Sequence, residues 1–168
     1  ISLIYHAVQQ WLGVYFSTQL NLNQFMISML ITFTSLSGIF GEVWGGHLAD
    51  ARGRLRVVNL GIGLMGLSIF LLLFKLPLIL LFLLMAIWGL GWTFNHVGLA
   101  TMLTDLPKEF LNEAASLNSG VRFIAGGVGV SLGGLIMQRS FTLGFLIFGC
   151  GLLILLFYGC LADKNREV

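Results

Sequence analysis

Two opposite charges set deep in apolar runs are the first residues that demand a chemical reason. Glu42 stands eight residues before Asp50 and Arg122 nine after Glu113, so at helical rise each lies about 12–14 Å from the nearest polar segment. An ionisable group at that depth is costly unless it is paired or faces water, which makes both candidates for function. Similar depth allows them to pair, directly or across a cavity, with Glu42 taking up a proton when the pair opens. The plainer reading is a static charge pair or side chains that snorkel to the interface.

Uncharged polar residues form two further groups. In the first apolar stretch Ser2, His6, Gln10, Gly13 and Ser17 recur at spacings of three and four, with Gln9 alongside, which gathers them on one helix face. That face lines a wet cavity or bonds to a neighbouring helix. In the fourth stretch Trp88, Trp92, Asn95 and His96 share a broad face. Aromatic rings with a few polar groups suit an amphipathic or weakly polar organic molecule, and a histidine such as His96 can carry a proton near neutral pH or simply pack. His47 is assigned no chemistry. No nucleophile with its base, metal-ligand set or phosphate loop accompanies these residues, so no enzyme activity, metal or cofactor is expected. Cys150 and Cys160 fall in the last apolar run and read as packing residues rather than a disulfide.

The elements that position these groups must be helices in a membrane. Of 168 residues 57% are hydrophobic and 10% charged, against about 25% charged in a soluble domain, and the mean hydropathy is +0.94. Apolar stretches approach the roughly 20 residues that cross a hydrocarbon core. Runs such as Ile79 to Ile87 and Leu143 to Phe157 do not alternate in polarity, as barrel strands would, and lipid offers backbone groups no partners outside a helix. The fold class is therefore all-α, a bundle of six transmembrane helices within a single domain, 1–168, in contact with the lipid bilayer. The small net charge of +2, carried at helix ends, argues against a nucleic-acid partner.

Polar breaks place the spans at about 1–20, 25–49, 57–74, 78–103, 114–137 and 141–161. With six spans, one side of the membrane holds Arg52, Arg54, Arg56, Lys108, Lys164 and Arg166, and the other only Lys75 and Arg139. Six against two puts both chain ends in the cytoplasm by the positive-inside rule, in a plasma membrane of the bacterial inner-membrane kind. The chain opens inside an apolar stretch without an initiator Met or a basic leader, and reads as a fragment.

A repeat is visible in the glycines. Gly38, Gly41, Gly45 and Gly46 of the second span have the same spacing as Gly126, Gly129, Gly133 and Gly134 of the fifth. Small residues at such spacing let helix backbones approach closely. If the chain is two sets of three spans, these helices are equivalent and run oppositely, an inverted repeat.

The loop between the second and third spans runs Gly46-His47-Leu48-Ala49-Asp50-Ala51-Arg52-Gly53-Arg54-Leu55-Arg56. Gly53 permits a backbone conformation closed to other residues, and Asp50 can accept from Arg54 or from the next helix's N-terminus. This loop resembles the signature loop of the major facilitator superfamily through Gly46, Asp50, Gly53 and Arg54. It departs at Ala51, where the family has a basic residue, and at Leu55. Gly129-Val130-Ser131-Leu132-Gly133-Gly134 resembles the glycine motif of the family's drug antiporters, with Val130 in place of the proline, and the fourth span lacks the arginine of a proton-driven first half. The resemblance, with the charged tail, implies one six-helix half, read here as the second.

It further implies secondary active transport of a small organic solute by alternating access, of the proton-coupled drug-efflux type, with the first and fourth spans lining the path. Asp50 and Arg54 would then latch one access state. The partner is the other six-helix half or a second copy as a homodimer. The alternatives are uptake of a sugar-like or other metabolite, and a non-transporting six-helix binding or assembly module. Few charges face the cavity, which disfavours strongly anionic solutes.

Overall fold

The computed structural model describes residues 1–165, and Arg166, counted above with the cytoplasmic charges, lies outside them. The helices are α1 (Ser2–Thr18), α2 (Gln24–Arg52), α3 (Arg54–Leu71), α4 (Leu78–Leu103), α5 (Lys108–Met137) and α6 (Phe141–Lys164). No strand occurs among the described residues. Local chemistry sets several boundaries. Asn23 caps α2 by accepting from the Met26 N–H at 2.9 Å, and Ser140 caps α6 by accepting from the Leu143 N–H at 3.2 Å; each satisfies one of the orphan donors of a helix start. Pro77 and Pro107 stand immediately before α4 and α5 in extended or near-extended backbone, a place where the proline ring interrupts no helical bond.

Three boundaries differ from those expected. The helix α5 begins at Lys108 rather than residue 114, α2 runs on to Arg52 rather than residue 49, and α3 begins at Arg54 rather than residue 57. The reason is common to all three: a polar residue ends the hydrocarbon-matched part of a helix without ending its hydrogen bonding. Five helices, α2 to α6, are long and apolar enough to cross a membrane. With 17 residues, α1 reaches roughly 25 Å, the lower limit of a spanning helix.

Packing is organised by close helix crossings. The α2 glycines meet α4: a methyl added at Gly41 would come within 3.0 Å of Thr93, and one at Gly45 within 3.1 Å of Phe94. The α5 glycines meet α1 more tightly still, Gly126 against the His6 ring and Gly129 and Gly133 against the Leu3 and Ala7 carbonyls. A further crossing, α3 on α4, uses Gly61, Gly91 and Gly98, which the repeat did not single out. Phe16, Leu30, Met65, Met85, Trp88, Phe145 and Leu152 fill the space between these contacts.

Outside, the apolar character continues. Phe123 is 83% exposed, and Ile79, Leu117, Val43, Trp44 and Phe157 are exposed too, an exterior suited to lipid rather than water. Cys150 and Cys160 join that exterior, because α6 turns Gly144, Phe145, Phe148, Gly149 and Leu152 inward. They are not the packing residues expected. The two ends of the bundle are chemically distinct. At one end Arg54 pairs with Asp105 and Arg56 with Asp163, joining the α2–α3 and α4–α5 connections to the end of α6. At the other a pocket gathers Gln19, Lys75, Gln138 and Arg139.

Candidate functional site

Polar and aromatic side chains from four helices converge on Trp92, near the middle of α4. Tyr5 of α1 stacks on its ring with centroids 3.9 Å apart and planes at 11°, and His6 meets it edge-on at 5.7 Å. One turn along α4, His96 lies parallel to Trp92 at 6.4 Å. The guanidinium of Arg122, from α5, lies over the indole with Cζ 5.5 Å from its centroid, a cation–π geometry. The α1–α5 contact that brings Arg122 here is pinned by Ser2, whose hydroxyl donates to the Arg122 carbonyl at 3.0 Å.

Trp92 lines two pockets. One, of about 170 Å3, is lined by Ser2, Trp92, Asn95, His96, Leu99, Val121 and Arg122 among others. The second, of about 280 Å3, is lined by Tyr5, Thr34, Ser35, Glu42, Trp92 and Thr93 among others. Glu42 and Arg122 thus face different pockets that share one aromatic wall. They form no ion pair, and the only ion pairs among the described residues are the two at the bundle's end. His96 sits within electrostatic reach of both charges. The direct contact considered from the sequence is absent: Arg122 lies over the Trp92 indole, while Glu42 lines a pocket with Thr34, Ser35 and Gly38.

Other residues singled out from the sequence take different places. Trp88 is 0% exposed and belongs to the core rather than to a cavity wall, because Gln9 accepts its indole N–H at 2.7 Å and so removes the cost of burying that donor. Asn95 is also buried, lining the smaller pocket while its amide donates to the Val58 carbonyl at 3.4 Å. Gln10 is exposed and lines neither pocket. Of the polar residues on α1, Tyr5 is the one whose aromatic contact with the site sequence reasoning missed; its position one residue before His6 on an α1 turn was the available signal.

The signature loop has a geometry of its own. Gly53 takes φ +96°, in the region that favours glycine, and this single residue breaks the chain between α2 and α3. Gly46 has open space around it. Arg54 does not turn back to Asp50 as expected. It forms an ion pair with Asp105 and donates to the Thr101 carbonyl, since α3 starts at Arg54 beside the last turn of α4, where unpaired carbonyls and the negative end of the helix dipole attract a cation. Asp50 is exposed and lines the same pocket as Arg54 and Asp105. Asp105 is the residue that the motif could not supply, because it lies in a different loop.

The family model of the Major Facilitator Superfamily matches residues 3–167. No curated protein and no solved structure matches the chain. The match spans nearly the whole sequence, from α1 to the end of α6, and agrees with an all-helical, multi-pass membrane protein in contact with lipid. This chain belongs to the Major Facilitator Superfamily, a family of membrane transporters rather than of enzymes.

Proposed function

We propose that the chain is one six-helix half of a secondary transporter, the second half, and that it moves a small organic solute by alternating access around the Trp92 site. Transport is coupled to protons, in the manner of drug efflux, with Glu42 as the carrier and His96 beside it. The observation that carries this reading is the convergence on Trp92: two opposite charges, both within membrane helices, line two pockets that share one aromatic ring. A merely structural pair would neutralise itself by direct contact. Two charges that line separate pockets offer one site for solute and one for a proton.

Several features support the moving parts. The glycine face of α2 lies on α4, and that of α5 on α1. Each is the second helix of one three-helix set packed on the first helix of the other, the exchange that two inverted repeats would make. The other six-helix half, or a second copy of this chain, completes the cavity. Arg54 and Asp105, with Asp50 adjoining, latch the end of the bundle that the basic residues place in the cytoplasm of a bacterial-type plasma membrane.

Reconstitution tests the reading. In proteoliposomes with a trapped pH indicator, a panel of amphipathic acids, bases and neutral compounds is added under an imposed pH gradient. At least one solute should move protons through the wild type and none through Glu42→Gln. If every solute leaves the gradient untouched, both alone and with a first-half bundle added, transport is wrong and a binding or assembly module remains.

A further inference from the structure

We infer that the smaller pocket beside Trp92 recognises a carboxylate, and that the solute is a small organic monoanion with a planar apolar body. This deepens the functional proposal by naming the solute class, and rests on the Trp92 site being where solute binds. The inference refines the expectation, drawn from the scarcity of charges, that strongly anionic solutes are disfavoured, by admitting a single carboxylate.

Arg122 carries the argument. A guanidinium stays protonated in any protein environment and presents five N–H donors in a planar fork. Its contact with the Trp92 ring stabilises the charge but uses no donor in a hydrogen bond to an acceptor. Ser2 engages only the Arg122 backbone carbonyl. No ion pair to Arg122 exists among the described residues, and Glu42 faces the other pocket. A half-buried cation at membrane depth without a counter-ion is costly, and a ligand carboxylate, which matches the fork in a bidentate pair, removes that cost.

The walls narrow the class further. No acidic residue lines this pocket, so an ammonium ligand would meet Arg122 without compensation. Trp92 and His96 present parallel rings, and Leu99 and Val121 close the sides, which suits a flat apolar body. The volume of about 170 Å3 is below the roughly 300–1,000 Å3 of sites for drug-sized ligands.

Binding to the full chain in nanodiscs, by equilibrium dialysis at pH 7, tests this with benzoate, benzamide and benzylammonium as probes. Benzoate should bind at least tenfold more tightly than benzamide, and benzylammonium not measurably. Arg122→Gln should bring benzoate down to the level of benzamide while benzamide changes less than twofold; Arg122→Lys, which keeps charge but not the fork, should fall between. Benzamide or benzylammonium binding as tightly as benzoate, benzoate binding that survives Arg122→Gln, or no binding of any probe overturns the proposal. If Arg122→Gln does not fold, phenylglyoxal labelling of the wild type decides: benzoate but not benzamide should protect Arg122, and equal protection refutes it. Arg122-dependent benzoate binding without solute-coupled proton flux would retain this site and remove transport. Coupled flux with no preference for benzoate would do the reverse.

Discussion

Replacing Gly129 by alanine tests whether the α1–α5 crossing is as tight as described. The added methyl would overlap the Leu3 carbonyl, and at Gly133 the Ala7 carbonyl. Both obstacles are backbone, so neither rotates aside; the helices must part. Overpacking of this kind costs about 1–3 kcal/mol. Gly127, on the same helix but with open space around it, is the control, where alanine gains up to about 1 kcal/mol of helix propensity. The two variants should therefore differ by about 1–4 kcal/mol, roughly fivefold or more in the unfolding equilibrium. Titration with SDS in mixed micelles, followed by far-UV circular dichroism, reads the difference directly. Once the helices have parted, a second methyl at Gly133 should cost less than it does alone. Unfolding of Gly129→Ala and Gly127→Ala at the same SDS fraction would refute the close crossing.

Three further outcomes follow from particular contacts. Gln9→Leu leaves the buried Trp88 indole N–H without its acceptor and should destabilise the bundle by about 1–3 kcal/mol in the same titration, whereas Gln10→Leu, at an exposed position, should change it by no more than about 0.5 kcal/mol. Arg54 and Asp105 have side chains 27% and 65% exposed, so a double-mutant cycle with Arg54→Ala and Asp105→Asn should give a coupling of only about 0.2–1 kcal/mol; the same cycle with Asp50→Asn in place of Asp105→Asn should give less. Gly53→Ala forces a methyl-bearing residue to φ +96° and should cost about 1–3 kcal/mol, although nothing crowds that position.

Much of the architecture was legible because membranes impose simple rules. Apolar length and charge placement give helices, breaks and the distinct chemistry of the two ends, and the Gly46 to Arg56 loop points to the family. Helix ends were less legible, since α5 begins at Lys108 among residues whose polarity marks the membrane boundary instead. Partners across helices were the least legible. Spacing placed Gln9 and Gln10 side by side, but only packing sends Gln9 to Trp88 and leaves Gln10 exposed. Equal depth brought Glu42 and Arg122 together in register, yet it could not show that Arg122 packs over Trp92 while Glu42 lines a separate pocket. In the same way Asp50 looked like the partner of Arg54 because it is near in sequence, whereas Asp105 is near in space.

The central claim, that the Trp92 site opens alternately to the two sides of the membrane, is tested most directly by access to position 96. His96→Cys is placed in a background with Cys150→Ala and Cys160→Ala, both exposed positions, and reconstituted with its completing bundle. A membrane-impermeant maleimide is then applied from one side or the other. The account predicts labelling from each side, with a preference that reverses when the imposed pH gradient is reversed. Labelling from neither side, or from one side only whatever the gradient, would contradict it.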